Sequence, residues 1–295
     1  MYGLIHQAKY SVYNPEFNAL TAKYTTIGCG GIADAIFFPS TIEQLVELIV
    51  YLQSDGVPFD ILGQGANVLS ADDLSGKVIV CTKRVNVISV QEESVFVSAG
   101  VSSSALLKTC REFGLSGAEF FTGIPSTMGG ALYMNAGVAD GHIADIVQSV
   151  LILRDGRIQK LSKEECQYGY KTSVFMHTND IILGATLSLK TAALREIDDK
   201  TLAFRARRTH LPKGRSMGCI FKNPTGHFAG CLIEKAGLKG LRIGGAVVSS
   251  EHANFIINDQ NATSSDVRHL IETVKNAVFA QYKIRLEEEI RYINR

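Results

Sequence analysis

The chain has no run of about 18 apolar residues, so nothing in it reads as a membrane span. Its opening, "MYGLIHQAKYSVYN", lacks a basic stretch followed by an apolar one, so no secretory signal is expected. Neither sign of charge is in excess: the formal net charge is +1 and no long basic run occurs. That removes the electrostatic footprint of a nucleic-acid binder. No Cys-x-x-Cys is present among the six cysteines, Cys29, Cys81, Cys110, Cys166, Cys219 and Cys231. Neither a disulfide framework nor a zinc site of the usual spacing is expected, and no metal is. Reduced thiols and a cytoplasmic location follow as the simplest expectation. Tryptophan is absent, without functional meaning, and there is no internal repeat or low-complexity tract.

What is present describes an ordinary globular protein, 46% hydrophobic and 20% charged, with 295 residues for two domains or one large lobed one. "PSTIEQLVELIVYLQSDG" reads as a helix, with Ser40 and Glu43 as a capping box and Ile42, Leu45, Val46, Ile49 and Leu52 at helical spacing. It leads into a strand, "FDIL", and a glycine turn, "GQGANVL". "KVIVC" and "ESVFVSAG" read as strands, and "SSSALLKTCREFGL" as a helix with Leu106, Leu107, Cys110 and Phe113 on one side. "SVLILRDGRIQKL" is a hairpin turned by Asp155-Gly156, a pair suited to positive φ. "DIILGATLSLK" is another strand. The charged, helical "TAALREIDDKTLAFRARRTH" marks the expected domain junction. Beyond it come a helix in "HFAGCLIEKAGLKG", a strand in "ANFIIN", and an amphipathic helix, "SSDVRHLIETVKNAVFAQY", with Val267, Leu270, Ile271, Val274 and Val278 inward. "KIRLEEEIRYI" reads as a closing strand. Helix and strand alternate throughout, as in an α+β or α/β protein with mixed sheets.

Five places could carry chemistry. Gly63-Gln64-Gly65-Ala66-Asn67 follows a strand but no helix pattern follows it, and it lacks the full dinucleotide and P-loop signatures. Such a turn can cradle a pyrophosphate with backbone N–H groups or be structural only. The segment from Gly123 to Gly141 is dense in glycine, which suggests a backbone held against something flat or anionic, or a glycine-packed crossing between sheets. In the closing strand, alternation puts Arg285, Glu287, Glu289 and Arg291 on one face, either a solvated edge or an acid beside a cation in a cleft. Cys219, in "GRSMGCIFKNP", is either a small buried hydrophobe at a strand or a titratable group in a cleft. Lys171, in "QYGYKTSVF", is either a surface lysine or a cation of the site.

Taken in order, "YTTIGCGGIADAIFFPST", "ILGQGANVL", "GLSGAEFFTGIPSTMGGALYMNAG", "CQYGYKTSVF", "GCIFKNP", "AGCLIEKAGLKGLRIGGAVVSSEHANFIIN" and "LEEEIRYI" resemble the UDP-N-acetylenolpyruvoylglucosamine reductases, the MurB family. The resemblance spans residues 22 to 293, and the short chain is similar to the family's second type, which lacks an extra substrate-covering loop. It implies an α+β protein: a two-lobed FAD-binding domain of the PCMH/vanillyl-alcohol-oxidase type and a C-terminal α+β substrate-binding domain. The boundaries implied are an N-terminal extension over 1–20, the FAD-binding domain over 21–192 and the C-terminal domain over 193–295. It implies non-covalent FAD, with NADPH as co-substrate, and reduction of UDP-N-acetylglucosamine enolpyruvate to UDP-N-acetylmuramate in peptidoglycan precursor synthesis. No nucleic acid, membrane or obligatory protein partner is expected.

The residues carried over from the resemblance are few. Cys219 stands where the family has a proton-donating Ser, Lys171 where it has Arg, and Glu289 at the Glu of its Glu-hydrophobic-Arg ending. Lys222 and Asn223 look like substrate contacts. Gly63, Gly65, Ala66 and Asn67 resemble the FAD pyrophosphate loop; Gly123, Ile124, Ser126, Gly129 and Asn135 resemble the second flavin-facing stretch. Lys171 keeps the charge but not the bidentate fork of Arg. Cys219 keeps a transferable proton, Ser126 replaces a family Gly, and "VADG" replaces the usual Ala-Tyr-Gly. The alternatives are an FAD-linked oxidase of the same superfamily and a catalytically impaired flavin- or UDP-sugar-binding protein.

Overall fold

The hairpin expected in "SVLILRDGRIQKL" is present as an antiparallel pair in the computed structural model, which describes residues 2–5 and 7–294. Met1, His6 and Arg295 lie outside the described residues, the first two within the expected N-terminal extension. Val147–Arg154 pairs with Arg157–Ser162, and the turn between them takes φ +49° at Asp155 and +71° at Gly156, as the Asp-Gly pair predicts.

The sequence reading divides the chain in order, at residues 20 and 192; the compact units interleave. One comprises Met1–Glu16, Ala35–Gln64 and Val78–Thr209, the other Phe17–Asp34, Gly65–Lys77 and His210–Arg295. The chain passes from one unit to the other within the strands Ile32–Phe37 and Leu74–Cys81. The charged helix Leu194–Arg207, expected at the junction, therefore lies inside the first unit.

In the first unit a five-stranded antiparallel sheet runs Arg157–Ser162, Val147–Arg154, Ile181–Ser188, Ser94–Ser98, Ile88–Gln91. Its inward residues, among them Val97, Val150, Ile152 and Leu187, pack with Leu106 and Cys110 of the helix Ser103–Glu112 and with Met128, Ala131 and Leu132 of the helix Met128–Met134. Phe113, expected on the apolar side, is instead 60% exposed: the helix ends at Glu112 and Phe113 is its C-cap. Phe59–Leu62 pairs in parallel with Val78–Cys81, preceded by the helix Ile42–Ser54. That helix buries Leu45, Leu48, Ile49 and Leu52, with Ile42 and Val46 only half-buried. Its N-cap is Thr41, one residue later than expected. Thr41 Oγ1 accepts from Gln44 N–H at 3.2 Å, and the Gln44 side chain accepts from Ser40 N–H at 2.8 Å. Thr41 and Gln44 thus take the capping roles expected of Ser40 and Glu43.

In the second unit a four-stranded antiparallel sheet runs Arg215–Cys219, Phe255–Asn258, Ala246–Val248, Arg242–Ile243. The helix Ser264–Tyr282 buries all five residues expected inward, Val267, Leu270, Ile271, Val274 and Val278, in one cluster with Leu232, Ile233, Ile256 and Ile290. Its start is a reciprocal cap between Thr263 and Asp266. Hydrogen bonds from the Thr263 backbone hold the Asp266 carboxyl below the usual carboxylate range.

The chain end is not one strand. Only Arg291–Ile293 is, pairing in parallel with Val68–Ser70. Just before it, Phe221 and Glu288 form a lone antiparallel bridge, so the segment changes partners between Glu289 and Arg291 and cannot continue a single ladder. The expected alternation survives in exposure: Leu286 and Ile290 are buried, Arg285, Glu287 and Arg291 exposed and Glu289 half-buried.

Candidate active site

The glycine turn after Phe59–Leu62 needs its glycines for two reasons. A Cβ on Gly63 would lie 2.2 Å from Thr127 Oγ1, so close approach excludes a side chain there. Gly65 has φ +68°, and a Cβ on it would lie 2.1 Å from the Tyr24 carbonyl oxygen. Gly63 belongs to the first unit, and Gly65, Ala66 and Asn67 to the second. The Asn67 side chain already has a partner: its Nδ2 donates to the Glu289 carbonyl at 3.0 Å, and the Asn67 backbone carbonyl accepts from Arg291 N–H at 2.9 Å. One amide N–H of Asn67 is thus committed to the Glu289 carbonyl.

The second glycine-rich stretch lies wholly in the first unit. Ser103 anchors it, donating its backbone N–H to the Ser126 carbonyl at 2.9 Å and its Oγ to the Ile124 carbonyl at 2.5 Å. Gly129 N–H donates to the Ala99 carbonyl at 2.8 Å, with the backbones too close for a comfortable Cβ. Gly123 takes φ +75° and lies against the Arg208 side chain. Much of the glycine content is thus close packing, as with Gly141 against Phe120. Two hydroxyls are left over: Ser126 Oγ and Thr122 Oγ1 are buried without a partner among the described residues. Buried polar atoms are nearly always paired, so this pair marks where a polar ligand edge would complete the stretch. Asn135 differs. It is 6% exposed, closes the helix Met128–Met134 in the left-handed conformation at φ +45°, accepts from Ala144 N–H at 3.3 Å and donates to the Gly169 carbonyl at 2.8 Å. Its amide holds the chain together.

What Asn135 holds is the turn of Lys171. Gly169 and Thr172 exchange backbone hydrogen bonds of 3.1 and 3.3 Å around Tyr170-Lys171, and Lys171 sits at φ +54°. A left-handed lysine costs roughly 1–2 kcal/mol, as the exposed left-handed Glu92, Gln167 and Lys283 do elsewhere in the chain. Ser173 Oγ, bonded to the Tyr133 carbonyl at 2.6 Å, ties down the far side of the turn. Lys171 is half-buried, and its neighbour Tyr170 is 53% exposed.

Cys219 ends the strand Arg215–Cys219 in the second unit. Ser216 faces Ile257 and Cys219 faces Phe255, so Met217 and Gly218 stand opposite the single residue Ile256. This is a β-bulge, and Gly218 supplies its positive φ of +76°. A bulge turns the residues after it, and Cys219 is half-buried, whereas Cys29, Cys81, Cys110 and Cys166 are buried. Cys219 is thus more exposed than those four core cysteines. The next three residues lie against the glutamates: Glu289 N–H donates to the Ile220 carbonyl and Lys222 N–H to the Glu287 carbonyl, both at 2.8 Å. The three carboxylates then separate. Glu287 pairs with Lys222 Nζ at 2.5 Å, and Glu288 with Lys275 Nζ at 2.7 Å and with the Tyr292 hydroxyl. Burial, with that bond to Glu288, pushes the Tyr292 hydroxyl well above its ordinary range. Glu289 is held through its backbone on both sides, by the Ile220 carbonyl and the Asn67 side chain. Asn223 Oδ1 accepts from Ala229 N–H at 3.0 Å and so closes the start of the helix Ala229–Lys235.

The structure thus brings Cys219, Lys222, Asn223 and Glu289 onto two adjoining segments of the second unit, with Asn67 bonded to them. It gathers Gly123, Ile124, Ser126, Gly129, Asn135 and the Lys171 turn in the first. Sequence reasoning missed Ser103, because a hydroxyl that braces a backbone carbonyl 21 residues away leaves no local pattern. Among the described residues no helix is long and apolar enough to cross a membrane, and no group of acidic, His and Cys side chains could hold a metal.

Comparison with known proteins agrees with this arrangement. Residues 33–162 match the FAD binding domain model, and residues 209–293 match the UDP-N-acetylenolpyruvoylglucosamine reductase C-terminal domain. The chain is 37% identical over 281 residues to the UDP-N-acetylenolpyruvoylglucosamine reductase of Limosilactobacillus fermentum, covering 93% of this chain and 92% of that protein. It superposes on the crystal structure of the UDP-N-acetylenolpyruvylglucosamine reductase from Thermus caldophilus with a TM-score of 0.80 at 34% identity, over 93% of this chain and 97% of that one. A solvent-stable cholesterol oxidase, TM-score 0.50 and 18% identical over 61% of this chain and 38% of its own, shares the fold alone. Likeness of this depth along nearly the whole length, on an α+β fold with an FAD-binding domain, decides the matter: the chain belongs to the UDP-N-acetylenolpyruvoylglucosamine reductase (MurB) family, FAD-dependent oxidoreductases of peptidoglycan precursor synthesis.

Proposed function

We propose that this protein reduces UDP-N-acetylglucosamine enolpyruvate to UDP-N-acetylmuramate in the cytoplasm, with NADPH as electron donor. Gly63, Gly65, Ala66 and Asn67 would hold the FAD pyrophosphate through their backbone. Gly123, Ile124, Ser126 and Gly129 would line the flavin, and Asn135 would support that wall from behind. Non-covalent FAD, when bound there, would supply the hydride chemistry that links NADPH to the enolpyruvyl ether.

Hydride arrival at C3 leaves an electron pair on C2 and its carboxylate. Lys171 supplies a fixed positive charge to that carboxylate, and Glu289, as an acid, a hydrogen bond. Cys219 gives its thiol proton to C2, and solvent reprotonates the thiolate before the next turnover. Lys222 exchanges its exposed partner Glu287 for substrate at little cost, because a surface ion pair contributes about 0–1 kcal/mol. Asn223 lies beside it. The observation that carries the reading is the bulge at Gly218, which leaves Cys219 half-buried one residue before Ile220, whose carbonyl accepts from Glu289 N–H.

The test is a pair of half-reactions without oxygen. NADPH is expected to bleach the flavin band, and UDP-N-acetylglucosamine enolpyruvate to restore it with formation of UDP-N-acetylmuramate. Acid precipitation should leave the flavin in the supernatant. A flavin that NADPH reduces but the enolpyruvyl compound cannot reoxidise would refute the substrate assignment.

A further inference from the structure

Glu289 is fixed at two points, and one of them belongs to the glycine turn. Its N–H donates to the Ile220 carbonyl at 2.8 Å, and its carbonyl accepts from Asn67 Nδ2 at 3.0 Å across 222 residues of sequence. The Asn67 backbone carbonyl in turn accepts from Arg291 N–H at 2.9 Å, at the start of the parallel pairing of Val68–Ser70 with Arg291–Ile293. The Asn67 side chain thus extends that ladder by one residue, to where the segment swings from Ile220 towards Val68. Without it the Glu289 carbonyl loses its bond to the turn, while the Glu289 N–H stays on Ile220 and the Arg291 N–H on the Asn67 backbone.

We propose that Asn67 is a positioning residue for Glu289, and that its side chain serves Glu289 and not the cofactor. The glycine turn then has two roles, because the backbone that would meet the pyrophosphate also sets the direction of the acid. This rests on the reading of Glu289 as the group beside the substrate carboxylate. A displacement of about 1 Å in a catalytic group costs on the order of 10²-fold in rate. The effect belongs to the step that uses Glu289, reoxidation by substrate, and not to reduction by NADPH.

The experiment is a double-mutant cycle on the FAD-loaded enzyme with Asn67→Ala, Glu289→Gln and both together. FAD affinity and the two half-reactions are each measured. Expected are an FAD affinity and a rate of reduction by NADPH within a few-fold of the parent for Asn67→Ala. Reoxidation by UDP-N-acetylglucosamine enolpyruvate should slow by about 10- to 100-fold, a loss that Glu289→Gln already contains, so the double variant is no slower than Glu289→Gln. Asn67→Ser keeps a shorter donor and should recover part of the rate. Full additivity, equal slowing of both half-reactions, or loss of FAD as the main effect would overturn the proposal. If Glu289→Gln itself reoxidises like the parent, the reading of Glu289 fails instead. Should Asn67→Ala not fold, the same comparison is made with Asn67→Ser against Glu289→Gln.

Discussion

Asn254 and Phe221 exchange two hydrogen bonds: Phe221 N–H donates to Asn254 Oδ1 at 2.9 Å, and Asn254 Nδ2 donates to the Phe221 carbonyl at 2.8 Å. Both residues are buried, 3% and 2% exposed, and Ile220 N–H adds a third bond to the Asn254 carbonyl at 2.9 Å. The amide therefore takes the place of a strand neighbour just where the bulge ends and the segment with Cys219 and Lys222 begins. Replacing it with Leu would leave a buried donor and acceptor unpaired, at about 1–3 kcal/mol for each group. Asn254→Leu should lower the urea midpoint accordingly and slow reoxidation by substrate. A variant as stable as the parent would show that the amide is dispensable.

Such an amide shows why part of the molecule is legible in the sequence and part is not. The Asp155-Gly156 hairpin and the apolar face of Ser264–Tyr282 depend on local chemistry, turn φ and helical period, and both stand where the sequence puts them. The N-cap, Thr41, lies one residue from its expected place because Ser40 and Thr41 are chemically equivalent candidates. The closing strand is shorter than its alternation suggests, because alternation reports a face and says nothing of a change of partner between Glu289 and Arg291. At the site, motifs point to Cys219, Lys171 and Glu289. They point to Asn67 and Asn135 as well, but as flavin contacts, since nothing local predicts a bond from Asn67 to Glu289 or from Asn135 to Gly169.

The left-handed Lys171 separates charge from conformation. Lys171→Ala removes the cation and keeps the unfavourable φ of +54°, while Lys171→Gly removes both. A left-handed L-residue costs roughly 1–2 kcal/mol and glycine loses about 0.5–1 kcal/mol in chain entropy, so Lys171→Gly should unfold within about 1 kcal/mol of the parent. Both variants should slow reoxidation by about 10²–10³-fold while reduction by NADPH stays near normal. Equal slowing of both half-reactions would mark Lys171 as structural.

Arg154 and Asp180 make the acid side of the stability profile testable. Two hydrogen bonds of 2.7 Å from the Arg154 guanidinium, and one of 2.8 Å from Thr178, hold the Asp180 carboxyl below the usual carboxylate range, although burial opposes the shift. The unfolded chain therefore takes up this proton first as pH falls. The contribution is complete above the ordinary carboxylate pKa of about 3.9 and is lost as pH drops through the folded value. The difference in unfolding free energy between the parent and Asp180→Asn should hold steady down to about pH 5 and shrink as pH falls below about 4. A difference that does not change with pH would mean that the pair contributes nothing through its charge.

Cys219 carries the most specific chemical expectation. A thiol is a stronger acid than a serine hydroxyl, so its proton is the easier one to give to a developing carbanion at C2. The bulge at Gly218 leaves Cys219 half-buried on the segment that pairs with Glu289, so its replacement disturbs no core. Cys219→Ala should accept a hydride from NADPH at the normal rate and reoxidise with substrate about 10²–10⁴-fold more slowly, the usual contribution of a general acid. Cys219→Ser keeps a hydroxyl proton and should retain much of the activity. Alkylation should reproduce the Cys219→Ala defect, with protection by substrate, once the exposed Cys231 has been changed to Ser to remove the competing thiol. Slow reoxidation in Cys219→Ala with near-normal reoxidation in Cys219→Ser separates a lost proton from a lost shape. If Cys219→Ala turns over like the parent, C2 takes its proton from elsewhere, and the bulge at Gly218 serves the course of the chain alone.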